Sequence, residues 1–444
     1  MKSAVDRIGH VARCNKEARF TALLHHINVE SLREAYRKTN PKATPGIDGM
    51  TWKEYGKNLE ENLNDLVRRV HTGGYRARAS LRTYIPKADG KKRPLGIAVL
   101  EDKILQRALV KVLNAIYEQD FLGFSYGFRP GRSQHQALDA LFVAIDTKKV
   151  NWVLDADISG FFDAIDHECL IRMIERRIGD KRVVRLIRKW LKAGILEDGK
   201  KREQTEGTPQ GATISPLLAN IYLHYGFDAW AQHWRRTKAR GDVIIVRYAD
   251  DIVVGFQYRD DAEKFLKDMR KRMSEYKLKL HPKKTRLIEF GRFAAERRKE
   301  HGKGKPETFD FLGFTHICGK TKGGRFLIHR HTIKKRMRTK LKEIKEGLRR
   351  RMHQAIIDQG RWLKRVINGY YNYHAVPTNL MALNGFREEI IRKWKQTLGR
   401  RSQKGYITWE RMKSLKEWLP LPKIRHPLPP ERFVLMTRGR SPVR

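Results

Sequence analysis

Aspartates close two apolar runs of strand composition in this chain. The run Val153-Leu154-Asp155-Ala156-Asp157 leads into Ile158-Ser159-Gly160-Phe161-Phe162-Asp163, a glycine-aromatic turn. Further on, the adjacent acids Asp250 and Asp251 sit between Val243-Ile244-Ile245-Val246-Arg247-Tyr248-Ala249 and Ile252-Val253-Val254. An acid pair between apolar runs costs stability unless cations compensate it. Hard divalent cations take carboxylate oxygens, and Mg²⁺ needs only two or three of them because it keeps several waters. Two such ions roughly 4 Å apart serve nucleotidyl transfer, one lowering the pKa of an attacking hydroxyl and one neutralising a triphosphate leaving group. Asp157, Asp250 and Asp251 are therefore candidate ligands for two Mg²⁺ ions, with Mn²⁺ able to substitute. A single aspartate near a strand end is ordinarily a turn or cap residue, and Asp155, Asp163 and Asp166 are read that way.

The charge balance points to the same class of partner. Ninety-four Lys and Arg against 49 Asp and Glu leave a net charge of +45, far beyond what solubility needs and self-repelling without a polyanion nearby. A chain of 444 residues with 40% hydrophobic residues can bury two or three cores. No run of 18 apolar residues marks a membrane span, and Met1-Lys2-Ser3-Ala4-Val5-Asp6-Arg7 leads into no apolar signal core, so a soluble cytoplasmic protein is expected. Cys14, Cys169 and Cys318 form no CxxC pair and are expected as reduced, partly buried thiols. His329 and His331 lie in a basic stretch read as a polar turn, and no zinc is expected.

The elements that must hold these acids follow from composition. Residues 1–75 read as helices around a Pro/Gly loop, Asn40 to Gly49. From Tyr84 to about Phe314, short apolar strands alternate with helices, including helical periodicity over Cys169–Ala193 and Asp261–Tyr276. That pattern predicts an α+β core of central antiparallel strands with helices behind. Then Ile333, Met337, Leu341, Ile344, Leu348, Met352 and Ile356 recur every three or four residues, predicting one long helix. From His331 to Arg365 thirteen Lys and Arg face three acids, and a solvated face would alternate its signs. Lys335, Arg338, Lys342 and Lys345 are the candidate phosphate contacts on this ridge. The expected domains are 1–75, an N-terminal helical extension; 76–320, holding the acids; 321–385, helical and basic; and 386–444, a basic C-terminal segment.

Tyr248-Ala249-Asp250-Asp251 resembles the YxDD signature of reverse transcriptases, with Asp157 matching the first catalytic aspartate of their palm. Other blocks follow in that family's order. Tyr84 to Ile97 is similar to its fingers segment, Ser125-Tyr126-Gly127-Phe128-Arg129-Pro130-Gly131-Arg132-Ser133 to the next block, and Gly207-Thr208-Pro209-Gln210-Gly211-Ala212 to the motif beneath the templating base. Leu280-His281-Pro282-Lys283-Lys284-Thr285 and Phe309-Asp310-Phe311-Leu312-Gly313-Phe314 resemble the last palm motifs, and Asn368 to His374 looks like the maturase region of group II intron proteins. The resemblance implies a right-hand polymerase, with fingers and palm over 76–320 and a helical thumb/maturase domain after it. It also implies residue roles. Lys87 and Arg93, flanking a turn at Asp89-Gly90, would meet the triphosphate; Gln210 and Gly211 the incoming nucleotide and the template; Lys284 would give a proton to pyrophosphate. Phe162, five positions after Asp157, would lie under the sugar, where a bulky ring clashes with a 2′-hydroxyl. Ala212 stands where the intron-type family commonly has glycine.

The implied function is an RNA-directed DNA polymerase of the group II intron type that also assists splicing. Its implied partners are structured intron RNA, an RNA template/DNA primer duplex and deoxynucleoside triphosphates. Two other readings stand beside it: an RNA-binding maturase with a vestigial polymerase site, and a domesticated reverse transcriptase in repair or defence. An RNA-dependent RNA polymerase is disfavoured by Phe162. No cysteine-histidine nuclease module follows the basic tail, so second-strand cleavage is not expected.

Overall fold

The computed structural model describes residues 4–86, 92–202, 205–401 and 407–418. The chain divides into two compact units, residues 1–137 with 154–287, and residues 138–153 with those from 288 onward. The mixture of helices and mainly antiparallel sheets is the expected α+β class.

The first unit begins with helices Ala4–Cys14, Val29–Arg37 and Leu59–His71, joined by a loop that contains Asn40 to Gly49. Asn28 starts the second of them by accepting from the Ser31 N–H at 2.9 Å in a capping box. The first two pack on Leu100–Asp120, a helix that buries Ile104, Leu105, Leu109, Val112, Leu113 and Ile116. Strands β1 (Ser80–Pro86) and β2 (Lys92–Ile97) form an antiparallel hairpin whose turn lies outside the described residues. The strands that carry the acids are β3 (Trp152–Asp157), β6 (Val243–Tyr248) and β7 (Asp251–Phe256); between them in sequence lie the short β4 (Ile195–Glu197) and β5 (Lys200–Arg202). With β8 (Arg286–Glu289) they make a sheet of order β6-β7-β3-β8, while β2-β1-β4-β5 make another. Ile244, Ile245, Val246, Ile252, Val253 and Val254 are all buried, which is why β6 and β7 read as continuous apolar runs rather than alternating ones. Helices do lie against this sheet: Trp234 and Phe265, from Ala229–Thr237 and Arg259–Glu275, meet edge to face at 4.9 Å, and Phe265 packs on Phe256 of β7 at 5.3 Å.

The periodicity over Cys169–Ala193 is not one helix but two, His167–Glu175 and Lys181–Leu191. The break has a use. The Asp180 carboxylate caps the second helix at the Arg182 N–H (3.0 Å), and its other oxygen accepts the N–H groups of Leu23 and Leu24 at 2.9 and 3.0 Å.

In the second unit β9 (Phe309–Phe311), β10 (Phe314–Lys320) and β11 (Phe326–Thr332) form an antiparallel sheet, followed by helices Lys334–Arg350, Ile356–His374 and Leu380–Gly399. The expected long helix is interrupted at residues 351–355, and His331 belongs to β11. The Gln359 side-chain amide donates to the carbonyls of Arg351, Met352 and Gln354 at 3.0–3.2 Å, satisfying the groups that the interruption frees. The apolar stripe runs on across the break because Leu341, Ile344, Leu348 and Ile356 all pack into one core with Leu363, Phe386 and Trp394. His329 and His331 occupy a strand rather than a turn, their rings 5.7 Å apart. Cys14 is exposed, contrary to expectation, at the last position of its helix, which buries Ile8, Gly9 and Ala12 instead.

His316 on β10 is fully buried, stacked on Phe309 at 4.7 Å and 10°. Burial, reinforced by the Arg330 charge, pushes its pKa from 6.5 down to about 3. The unfolded chain therefore binds the extra proton between these values, so this group's contribution to stability falls as pH drops from about 6.5 toward about 3. His316→Phe keeps the stacked ring and removes the titration. Denaturant unfolding at stepped pH should show wild type losing ground to the variant below pH about 6.5; a pH-independent difference would show that His316 does not titrate this way.

Candidate active site

Three local decisions of the chain place the acids. Asp157 ends β3, and beyond it Ile158 bridges Leu280 while the Asp157 carbonyl accepts the His281 N–H at 2.7 Å. A turn closed by Thr285 N–H to the His281 carbonyl (2.9 Å) then carries Lys284 back over the strand end, where its ammonium donates to Asp157 Oδ2 at 2.6 Å. Tyr248 and Asp251 pair across the β6–β7 hairpin, leaving Ala249 and Asp250 as the two turn residues. Ala249 has φ 56°, the positive value that a tight two-residue hairpin turn demands of its first central residue.

These pieces share one electrostatic site. Burial pushes the Asp250 carboxyl above the usual range, and the Asp157 charge adds to that, while Arg93 and Lys284 act in the opposite direction. The Lys284 ammonium is held above its ordinary value, first by its hydrogen bond to Asp157 and then by the charges of Asp157, Asp251 and Asp250. Asp251 opens β7 and is exposed. Among the described residues no group of three or more His, Cys, Asp or Glu is gathered tightly enough to hold a metal by itself. The donor set nevertheless fits Mg²⁺: half-buried carboxylate oxygens in mutual repulsion suit a hard cation that takes one or two carboxylates and completes its shell from substrate phosphates.

The remaining candidates divide. Arg93 stands exposed on β2, opposite Ile85 of β1. The Gly96 N–H on the same strand donates to the Gln210 carbonyl at 2.7 Å. Gly211 has φ 115°, and a Cβ there would lie 2.8 Å from the Gly96 carbonyl oxygen, so a glycine is required on both counts. The Gln210 amide lies 3.4 Å from both Asp163 oxygens, and the Phe162 carbonyl accepts the Thr208 N–H at 2.8 Å. Phe162, in the short turn Phe161–Asp163, is half-buried. Phe162, Gln210 and Gly211 thus belong to loops linked to one another and to β2, the strand of Arg93, in the first unit. Lys87 lies outside the described residues. Lys335, Arg338, Lys342 and Lys345 are in the second unit, all exposed on the Lys334–Arg350 helix. Of the aspartates read as turn or cap residues, Asp166 caps the His167–Glu175 helix at the Cys169 N–H (2.8 Å), and Asp163 lies in the Phe161–Asp163 turn; Asp155 is within β3, with Arg286 3.9 Å away.

Two functional positions, Arg247 and Asp228, carry no motif in the sequence. Both side chains are 0% exposed and form a bidentate ion pair at 2.5 and 2.7 Å. Arg247 also donates to Asn220 Oδ1 (3.1 Å), Ser125 Oγ (2.7 Å) and the Ala249 carbonyl (3.0 Å). One guanidinium thereby ties the acid-bearing turn to three other segments. Asp228 ends a π-helical turn, His224–Asp228, a local widening that recurs at functional sites. The available signal was an arginine inside an otherwise apolar strand run, which obliges a buried acidic partner. Arg247→Met leaves Asp228 buried and unpaired and should cost about 3–5 kcal/mol in denaturant unfolding, whereas Arg247→Met combined with Asp228→Leu should recover most of it. Equal destabilisation in both variants would contradict this account of the pair.

Comparison with known proteins agrees with the geometry. The family described as Reverse transcriptase (RNA-dependent DNA polymerase) matches residues 85–316, just over half of the 444. Protein YkfC of Escherichia coli K12 is 37% identical over 241 residues, covering 48% of this chain and 63% of that protein. Group II intron-encoded protein LtrA of Lactococcus lactis subsp. cremoris is 43% identical over 166 residues, 37% of this chain and 27% of LtrA. An uncharacterized 91 kDa protein in the cob intron of Schizosaccharomyces pombe is 48% identical over 143 residues, 32% of this chain and 18% of that one. The chain thus spans less than two thirds of the length of each of these relatives. With Asp157, Asp250 and Asp251 inside the matched region, and group II intron-encoded proteins among its relatives, the chain belongs to the reverse transcriptase (RNA-dependent DNA polymerase) family.

Proposed function

We propose that the protein is an RNA-directed DNA polymerase of the group II intron type that also binds structured intron RNA as a splicing cofactor. The observation that carries this reading is the convergence of Asp157 from β3, Asp250 from the β6–β7 turn and Lys284 from the 281–285 turn on one half-buried point. Asp157 and Asp250 would hold Mg²⁺, with Asp251 beside them. When bound, two such ions lower the pKa of a primer hydroxyl and neutralise the departing pyrophosphate. The chain's own groups do the rest. Arg93, and Lys87 before it, orient the triphosphate. Lys284, held in its charged form by Asp157, would give the leaving pyrophosphate its proton. Phe162 excludes a 2′-hydroxyl, and Gln210 and Gly211 line the approach of nucleotide and template. In this reading residues 76–320 act as fingers and palm, and 321–385 as thumb and maturase region.

Asp250→Asn keeps shape and removes the ligand charge. Primer extension should fall by roughly two orders of magnitude or more while RNA binding stays near wild type. Parallel loss of RNA binding would make Asp250 a structural residue, and unchanged extension would remove it from the site.

The ridge carries the RNA-binding half of the proposal. Among the described residues none of Lys335, Arg338, Lys342 and Lys345 forms an ion pair with an acid, so all four are available to phosphates. Changing the four to Gln preserves helix propensity. The salt slope of affinity for structured RNA should shrink by roughly 0.7–0.9 for each phosphate no longer neutralised, with thermal stability little altered. An unchanged slope would reduce the ridge to a solvated surface.

A further inference from the structure

We propose that Phe128 is a positioning residue for sugar selection, fixing the ring of Phe162 in the orientation that excludes a 2′-hydroxyl. This rests on the polymerase reading above and names a residue that sets its substrate specificity.

The first observation is a backbone outlier. Phe128 has φ 61°, in the left-handed region that bulky L residues rarely enter. The residue is 51% exposed, so core burial does not offset the strain. A strained residue persists only where its surroundings over-determine it, and such positions gather at functional sites.

The second is what the ring touches. Phe128 meets Phe162 edge to face, with centroids 6.3 Å apart and planes at 79°. Phe161, buried, also meets Phe162, at 5.5 Å and 63°. Phe162 thus contacts both a core ring and an exposed residue's ring. Removing the exposed ring would let it rotate away from the sugar.

The third is the anchoring of the turn that carries Phe128. A Cβ on Gly127 would run into the backbone of Ala249, so only glycine lets this turn lie against the acid-bearing hairpin. Asn220 Nδ2 donates to the Gly127 carbonyl at 2.8 Å, and the Tyr126 N–H to the Arg247 carbonyl at 2.9 Å. Arg129 donates to the carbonyls of Leu122 and Ser125 at 2.7 and 2.8 Å and pairs with Glu118 at 2.9 Å. The strained residue therefore sits on a clamped turn, docked on the same hairpin that positions Asp250.

The test uses the full chain, an RNA template, a DNA primer and Mg²⁺, and compares incorporation of a single ribonucleotide with that of the matching deoxynucleotide. Phe128→Gly accepts the positive φ without strain, so the melting temperature should not fall. The ribonucleotide-to-deoxynucleotide ratio should rise roughly three- to tenfold, the range of an edge-to-face aromatic interaction, with deoxynucleotide turnover nearly unchanged. Phe128→Tyr keeps the ring edge and should restore wild-type discrimination. In a Phe162→Ala background, which itself relaxes discrimination, Phe128→Gly should add nothing, because Phe128 acts through Phe162. If Phe128→Gly does lower the melting temperature, Phe128→Asn, which also tolerates this backbone region, replaces it. Wild-type discrimination in the ring-deleted variant, or an undiminished effect without Phe162, overturns the proposal while leaving the polymerase reading intact. A wild-type protein that incorporates neither nucleotide overturns both.

Discussion

Two carboxylates held where they repel each other are the constraint around which the first unit is arranged. Asp157 arrives on a strand end and Asp250 on a hairpin turn, and the second is half-buried. Burial and like charge both act against ionisation there. What offsets them is local and cationic: Lys284 hydrogen-bonded to Asp157, and Arg93 within the field of Asp250. In the proposed reading, divalent cations and phosphates would together replace the lysine and neutralise the acids. The same repulsion would push the turn outward unless something held it. Arg247 does so, gripping the Ala249 carbonyl while its own charge is matched inside the core by Asp228. A buried pair of this kind is weak support for stability in general; here its value is geometric, because it sets where Asp250 stands.

The second unit answers a different demand. Its three long helices bury one apolar core, and the stripe on Lys334–Arg350 commits Leu341, Ile344 and Leu348 to it. The cations of that helix are left on the outside, their stems free to cover apolar surface and their charges in solvent. A net charge of +45 makes compactness costly in the absence of a polyanion, and the ridge is one of the places where that charge is concentrated.

Much of this was legible from residue order, for identifiable reasons. The run Val243–Tyr248 is β6 residue for residue, because a strand buried on both faces is apolar nearly throughout, here with Arg247 as the exception. Asp157 at the end of β3 was legible from the apolar run that it closes, and the acid pair at a hairpin because adjacent acids between apolar runs are costly without cations. Helix continuity was not. The periods over Cys169–Ala193 and Ile333–Ile356 persist across real breaks, since consecutive helices packing on one core keep the same apolar spacing. Nor could the partner of Arg247 be read, because Asp228 lies on a helical segment that only the fold brings beside the strand. Phe128 looked like one more aromatic in a matched block; its positive φ and its packing against Phe162 are visible only in three dimensions.

The most direct measurement of the central claim is template-directed extension of a DNA primer annealed to a defined RNA by the purified protein, with Mg²⁺ titrated from zero. The account predicts no product without the metal, then saturable addition of the deoxynucleotide complementary to the next template base. Tight RNA binding with no extension at any Mg²⁺ or Mn²⁺ concentration would contradict it and leave an RNA-binding protein built on a polymerase fold.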